Sequence, residues 1–513
     1  MHTPTNDFSE RATDVTKYLG IDIGTTGIKA IAINELGTIL QTESVPLQME
    51  VPKPAWAQQD PEIWKTGVLE LLRRVSQFHS IQAIGFSGQM HSLVAIDETD
   101  RVIRPAILWC DQRTTKQCKE ATAILGGEQS VIRLIGNPIL EGFTLPKLLW
   151  MRDEEPDLYA RIHRIMLPKD YLVYLLTGSF GIDPSDASGT ACFDVMRQKW
   201  ASEILGPLGI ELSILPPLTG SSTIRGELDP KIAKGVGWNN VKIVSGGADN
   251  ACAALGLGLA RVGEGMVSLG TSGTVLALTN QTQPDAEGKI HYFRHVVGST
   301  AYYMGVMLSA AQSLNWFRNQ CMKECSWSQM ESIMAESPIG SNGLLFLPYL
   351  QGERTPHRDP NARGVFFGIS SMTNRADLLR SVIEGVTFGL RESFERIRTH
   401  TSIESMRIVG GGAKNRVWCQ MIADAFQIPI QVPSMDEGGA FGAAMLAALG
   451  TGLTLTQVLR WVSVREGFDP IPEHMERYTQ QFHHYQGLYK DLKDRFRLLG
   501  EHHETTQKHK IQP

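Results

Sequence analysis

Cysteine is sparse and unpatterned in this 513-residue chain. Seven thiols lie scattered at Cys110, Cys118, Cys192, Cys252, Cys321, Cys325 and Cys419, and none makes a CxxC pair. Zinc ribbons and thioredoxin-like redox sites are therefore excluded, and a reducing cytoplasm is the expected setting. There is no basic excess either: 49 Lys+Arg stand against 54 Asp+Glu, a formal charge of −5. A nucleic-acid binder needs cations to neutralise phosphates, so no nucleic-acid partner is expected. The opening stretch MHTPTNDFSERATDVTK has no apolar core and is not a signal peptide. One uncharged run, Gly438 to Leu459, has the length of a membrane span. It is crowded with Gly, Ala and Thr and broken at Gly450 and Gly452, so it reads as a buried helix with a glycine stop, and no membrane partner is expected. A Walker A sequence and the protein-kinase signatures are also missing. Gly410–Asn415 and Gly256–Arg261 both fail the GxGxxG rule at its last glycine, which disfavours a dinucleotide dehydrogenase.

What is present is an ordinary globular balance, 42% hydrophobic and 20% charged residues, over a length that predicts two to four domains. Short β-branched runs alternate with longer amphipathic segments, the pattern of an α/β fold. Tyr18–Ile23 and Ile28–Ile33 flank Gly24-Thr25-Thr26-Gly27, which reads as a β-hairpin with a glycine-rich turn. The unit returns much later: Ile23–Ile31 matches Leu269–Ala277 in position and character, so two related halves are expected. The predicted organisation is a polar tail over 1–16, a first domain over 17–259, a second over 260–499 and a polar tail over 500–513. An aromatic stripe from Tyr478 through Tyr485 and Tyr489 to Leu499 predicts a closing amphipathic helix that Gly500 stops.

Three stretches carry chemistry. Glycines in the turn after Asp22 let backbone N–H groups approach an anion, and threonine hydroxyls add donors. A carboxylate one step before such a turn would repel phosphate unless Mg²⁺ lay between, which marks Asp22 as metal-associated. Gly410-Gly411-Gly412-Ala413-Lys414-Asn415 follows an apolar strand and precedes a helix, a nucleotide-contact arrangement as well as a tight turn. Ile243–Ala251 ends a strand in Gly246-Gly247-Ala248-Asp249. Asp249 reads equally as the N-cap of the following helix and as a general base at a strand's carboxyl end. Phe86–His91 is a similar strand exit, and His91 beside its glycine turn is a candidate polyol contact. Asp111 and Arg113, two apart, would share a strand face and read as structural.

Taken together, Gly20–Lys29, Ser87–His91, Gly142–Trp150, Leu167–Tyr171, Asp183–Thr190, Gly246–Asn250, Gly364–Glu384 and Gly410–Asn415 resemble the FGGY carbohydrate kinases over roughly Tyr18 to Leu499. The resemblance implies two ribonuclease-H-like domains of the actin/hexokinase type closing on an interdomain cleft. It implies ATP and Mg²⁺ as cofactors and a small-molecule sugar as partner, with a homodimer as assembly. Catalytic roles fall to Asp249 as general base and to Asp22, the metal-associated carboxylate. Met90, His91, Asp249 and Asn250 would line the sugar site, and Thr25, Thr26, Gly270, Thr271, Gly411 and Asn415 would meet the nucleotide. The implied reaction is phosphorylation of D-xylulose to D-xylulose 5-phosphate. Ser92, Ala248 and Cys110 depart from the family's usual residues, and Met-His-Ser resembles its gluconate kinases, the alternative within the family. An actin- or chaperone-like ATP-switched scaffold is the alternative from another class; it would need the hairpins but not the sugar residues.

Overall fold

The computed structural model describes residues 17–510 apart from positions 79 and 436, with side chains described as far as Gly500. The stretch expected as an N-terminal tail, 1–16, lies outside the described residues. Two seven-stranded sheets carry the fold, each built around one of the two glycine-turn hairpins. In the first, β1 (Lys17–Ile23), β2 (Gly27–Asn34), β3 (Ile39–Pro46), β4 (Ile81–Gly88), β5 (Ile224–Glu227) and β6 (Lys242–Val244) lie in the order β5-β6-β4-β1-β2-β3, and Gly247–Ala248 also pairs with β4. In the second, β7 (Glu264–Leu269), β8 (Gly273–Thr279), β9 (His291–Arg294), β10 (Ala301–Met307), β11 (Ser405–Val409), β12 (Ile430–Pro433) and β13 (Val464–Phe468) run β9-β10-β8-β7-β11-β12-β13.

The two orders superpose with strand sense intact. In each half a hairpin strand pairs antiparallel with its successor and parallel with a later strand, here β1 with β2 and β4, and β7 with β8 and β11. The repeat read from the sequence is thus a repeat of architecture. Leu19, Ile21, Ile23, Ile28, Ala30 and Ile31 are all fully buried, because both faces of the central strands are covered. Edge strand β3 instead alternates half-buried and exposed residues along its length.

Seven helices build the site and the shared core: α1 (Pro168–Thr177), α2 (Asp249–Gly256), α3 (Ala311–Cys321), α4 (Arg375–Arg398), α5 (Arg416–Phe426), α6 (Gly438–Gly450) and α7 (Pro472–Lys510). Helix α6 is the uncharged run of the sequence, buried through Ala440–Ala448 and ended by Thr451 before Gly452 at φ +111°. Among the described residues no helix is long and apolar enough to cross a membrane. Although α6 comes late in the chain, it lies on the first sheet, against β1, β4 and α2. The contact is backbone on backbone. A Cβ at Gly20 would lie 1.8 Å from Ala440 O, one at Gly85 1.9 Å from Ala443 O, and one at Gly442 1.9 Å from Cys252 O. A single apolar cluster runs from α6 through α2 into Met266, Leu276 and Tyr302 of the second sheet, so the halves share a core.

Helix α7 buries the expected aromatic stripe, Tyr478, Phe482, Tyr485, Tyr489 and Phe496. It does not stop at Gly500 but stays helical to Lys510, across the stretch expected as a tail. A glycine inside a helix costs only about 1 kcal/mol. Its role here is spatial, since a Cβ at Gly500 would stand 2.3 Å from Asn361 Oδ1.

Candidate active site

Strand register assembles the acidic centre. Asp22 pairs with Ser87 of β4, and Ser87 pairs on its other side with Gly247, so Asp22, Gln89 and Asp249 leave three adjacent strands at their carboxyl ends. Asp22 Oδ1 accepts a 2.6 Å hydrogen bond from Ser87 Oγ. Burial raises its carboxyl above the usual range, against the lowering by Ser87 and Lys29. Lys29 is itself held 2.6 Å from Glu437.

Asp249 is the first residue of α2. The N-cap is Ala248, and no side chain caps this helix, so the capping reading of Asp249 does not hold. Ala248 takes the cap position one residue earlier, at φ −59° and ψ 144°, so Asp249 belongs to the first helical turn. Asp249 Oδ1 accepts from the next amide, Asn250 N, at 2.6 Å and from Asn250 Nδ2 at 2.8 Å. Burial first, and the Asp22 charge second, push Asp249 up to about 7, against the lowering by Asn250. A carboxylate poised near neutrality has the proton affinity a general base requires.

The exit of β4 forms a second wall. Met90 is buried, and His91 takes a left-handed φ of +70°, a strained conformation for a histidine. Its Nδ1–H donates to Gly189 O at 2.6 Å, and its ring stacks on Phe143 at 4.7 Å. Burial lowers His91 to about 3, so the ring is neutral and Nε2 is an acceptor. Phe143 is held from behind by Lys147, whose Nζ donates to the carbonyls of Glu141, Gly142 and Phe143. Ser92 is fully buried, donating to Gln89 Oε1 at 3.2 Å and accepting from Trp109 N at 3.1 Å. Trp109 Nε1 in turn donates to Thr25 Oγ1 at 2.9 Å, tying the first hairpin turn to this wall. Asp111 and Arg113 are a buried ion pair at 2.7 Å, on a loop rather than a strand, with the guanidinium 3.7 Å from the Trp56 ring centre.

Sequence reasoning misses Phe143, Trp109 and two groups from the second half. His291 on β9 lies 5.9 Å from Phe143, ring to ring, and Arg354 Nη2 approaches His291 Nε2 at 3.4 Å. Nothing local in the chain announces His291 or Arg354. Trp109 stands beside a pair that reads as structural, and only its indole bond to Thr25 reveals its place.

Of the remaining predicted residues, Thr26 lies on the first turn and the others gather in the second half. Gly24 N closes the first turn on Gly27 O at 2.9 Å, with Thr26 exposed. The second turn, Gly270-Thr271-Ser272, receives the first amides of α3: Ala311 N bonds Gly270 O and Gln312 N bonds Thr271 O. Gly410, at φ +90°, lies against this turn, where a Cβ would sit 2.7 Å from Leu269 O. Gly411 is exposed, and Asn415 caps α5 through Oδ1 and Trp418 N at 2.9 Å. Beside them opens a cavity of about 530 Å³ lined by Ala311, Asn315, Trp327, Gly411, Lys414 and Asn415 among others. Apolar side chains such as Leu314, Met330, Leu379 and Ile383 share its lining with Asn315, Lys414 and Asn415, a mixture that suits a nucleotide. The structure therefore brings Gly270, Thr271, Gly411 and Asn415 together in the second half, and Asp22, Thr25, Met90, His91, Asp249 and Asn250 in the first.

Among the described residues no cluster of three or more His, Cys, Asp or Glu could hold a metal ion. The pair Asp22 and Asp249 fits a different arrangement. Magnesium that arrives with phosphates needs one or two protein carboxylates and keeps its waters.

Comparison with known proteins agrees with this geometry. The model of the FGGY family of carbohydrate kinases matches over residues 17–256 with its N-terminal domain and over 265–451 with its C-terminal domain. A xylulose kinase from Staphylococcus xylosus is 40% identical over 92% of this chain and 99% of its own. Among solved structures, a "xyloylose kinase" from Brucella ovis matches with a TM-score of 0.88 and 35% identity, over 93% of this chain and 99% of that one. A gluconate kinase from Lactobacillus acidophilus matches with a TM-score of 0.89 and 25% identity, over 93% and 98%. The fold is the two-lobed α/β fold of the actin/hexokinase type. With a half-buried base candidate in one lobe, a nucleotide-sized cavity in the other and both domain models matched in order, the chain belongs to the FGGY family of carbohydrate kinases.

Proposed function

We propose that this chain transfers the γ-phosphoryl group of ATP to the terminal hydroxyl of D-xylulose, giving D-xylulose 5-phosphate, with Asp249 as general base. The observation that carries the mechanism is Asp249 itself: recessed, raised to about 7, and held by Asn250 at the exit of the strand beside β4. Asp249 accepts the hydroxyl proton as the oxygen attacks. Met90, His91 and Asn250 line the sugar, with neutral His91 accepting from a sugar hydroxyl through Nε2. Thr25 and Thr26 of the first turn, and Gly270, Thr271, Gly411 and Asn415 of the second lobe, meet the nucleotide. Magnesium on the nucleotide supplies charge neutralisation at the phosphates, with Asp22 as the protein carboxylate beside it. Phosphoryl transfer is mostly positioning, so closing the lobes on sugar and excluding water separates kinase from ATPase.

D-xylulose is favoured by the xylulose kinases among the relatives, identical at up to 40% over nearly the whole chain. Gluconate is the second reading. Its sequence argument rests on Ser92, whose one hydroxyl proton is donated to Gln89 while its oxygen accepts from the Trp109 amide, which leaves it no free donor for the carboxylate of a sugar acid. ADP release from Mg-ATP with D-xylulose, gluconate, D-ribulose, L-ribulose and glycerol tests the proposal. D-xylulose gives the highest kcat/KM; gluconate in first place transfers the assignment, and no response to any sugar removes it in favour of an ATP-switched scaffold.

The raised carboxyl also fixes a pH dependence. The base works deprotonated, so kcat/KM for the sugar rises about tenfold per pH unit below pH 7 and levels off above it. His91, lowered to about 3, adds no inflection in this range. A profile from pH 5.5 to 8.5 checks this, and a flat one assigns the base elsewhere.

A further inference from the structure

Two stretches that carry the family resemblance, Leu167–Tyr171 and Asp183–Thr190, stand outside the groups that meet sugar and nucleotide. They come together inside the first lobe. Lys169, in the first turn of α1, places Nζ 2.5 Å from Asp170 Oδ1, 3.1 Å from Asp183 Oδ1 and 3.1 Å from Asp186 Oδ2, and all four side chains are at most 1% exposed. Three carboxylates around one buried ammonium is a costly arrangement to keep for packing alone, since apolar residues of like volume do as well or better. Burial raises Asp186 well above the usual carboxylate range and Asp170 up to about 6, which lessens the charge Lys169 must balance.

From this cluster a chain of hydrogen bonds leads outward. Asp183 Oδ2 accepts from Ser185 Oγ at 2.5 Å and from Ser221 Oγ at 2.9 Å. Ser185 Oγ accepts from Ala248 N at 2.9 Å, one residue before Asp249. Ser221 O accepts from Gly246 N at 2.9 Å. Two alternate amides of the segment that delivers Asp249 are thus held by two serines. Both serines are anchored on one oxygen of Asp183, and Lys169 holds the other. The segment has no slack on its far side, where a Cβ at Gly246 would lie 2.1 Å from Phe86 O.

We propose that Lys169, Asp183 and Ser185 are positioning residues for Asp249, a buried brace that fixes where the carboxylate leaves the sheet and so holds it on the sugar hydroxyl. The inference rests on the reading of Asp249 as general base. A brace for the fold alone would move stability; a brace for the base moves kcat through Asp249.

The test is a mutant cycle on the full chain with D-xylulose and Mg-ATP: wild type, Ser185→Ala, Asp249→Asn and the double variant, each with a melting temperature. Ser185→Ala removes one hydroxyl and leaves the ammonium cluster whole. The expected result is a kcat lower by about 10- to 100-fold with the KM for ATP within about twofold, and no further loss when Ser185→Ala is added to Asp249→Asn. An unchanged kcat, with or without a lower melting temperature, overturns the proposal, as does the same fold-loss in both backgrounds. If Asp249→Asn alone keeps wild-type kcat, the base reading falls and takes the brace with it; the single variant separates that case from failure of the brace alone. Lys169→Met should reproduce the kcat loss if it folds, and Ser185→Ala decides the matter if it does not.

Discussion

Asp249→Asn should lower kcat for sugar phosphorylation by about 10³-fold, roughly 4 kcal/mol of lost transition-state stabilisation, while the KM for ATP stays within about threefold. The asparagine keeps the shape of the side chain and an oxygen that can still accept from Asn250, so the site retains its form and loses only its base. Four of the nucleotide groups, Gly270, Thr271, Gly411 and Asn415, are on the other lobe, and neither Thr25 nor Thr26 bonds to Asp249, whose oxygen is held by Asn250. Stability should move the opposite way. Asp249 holds its charge against burial and against Asp22, and a neutral amide is relieved of both. The variant should therefore melt at or above the wild-type temperature. Steady-state kinetics paired with thermal denaturation measures both. Lost activity with a lower melting temperature would mean a structural role, and retained activity would mean another base.

Gly20→Val should be the most damaging single change in the fold, costing about 3 kcal/mol or more and leaving little folded protein. The first atom of any side chain at this point would meet Ala440 O at 1.8 Å and Ala444 N at 2.6 Å. Both obstacles are backbone of α6, so no rotamer change relieves the clash and the whole helix must rise off β1. That movement would also disturb the site, because the head of α6 packs on Asp22, where a Cβ at Gly439 would stand 3.0 Å from the carboxyl carbon. A built-in control is Gly487→Ala in α7, where an added Cβ meets nothing within 4 Å. Inside a helix that substitution should stabilise by up to about 1 kcal/mol. Urea midpoints for the two variants, with kcat for any folded Gly20 variant, would show opposite signs for substitutions at two glycines. Equal midpoints would refute the close packing of α6.

The same contrast explains what is legible in the chain. Both hairpins can be read because their turns are local: Gly24–Gly27 and Gly270–Gly273 each close within a few residues, and their flanking strands are apolar on both faces. The aromatic stripe of α7 is legible for the same reason, a period within one element. Gly20, Gly85 and Gly442 carry no local signal. Each permits a contact with a segment far along the chain, and its meaning exists only in the pair. Gly500 reads as a stop on local grounds, whereas its partner, Asn361, is remote in sequence. Within the site, turn chemistry flags Asp22, Thr25, His91 and Asp249 among others. It does not flag Phe143, His291 or Arg354, because side chains that meet across two lobes leave no spacing to read. Asp249 shows the limit from the other direction. A carboxylate at a strand-to-helix junction has two ordinary uses, and only the cap geometry at Ala248 separates them.

The most direct measurement is to incubate the protein with Mg-ATP and D-xylulose and monitor the reaction by ³¹P NMR. The account predicts that the γ-phosphate signal is replaced by equal amounts of ADP and a sugar monoester at the terminal carbon, with ATP persisting when the sugar is omitted. ADP with inorganic phosphate, at a rate indifferent to sugar, would contradict it.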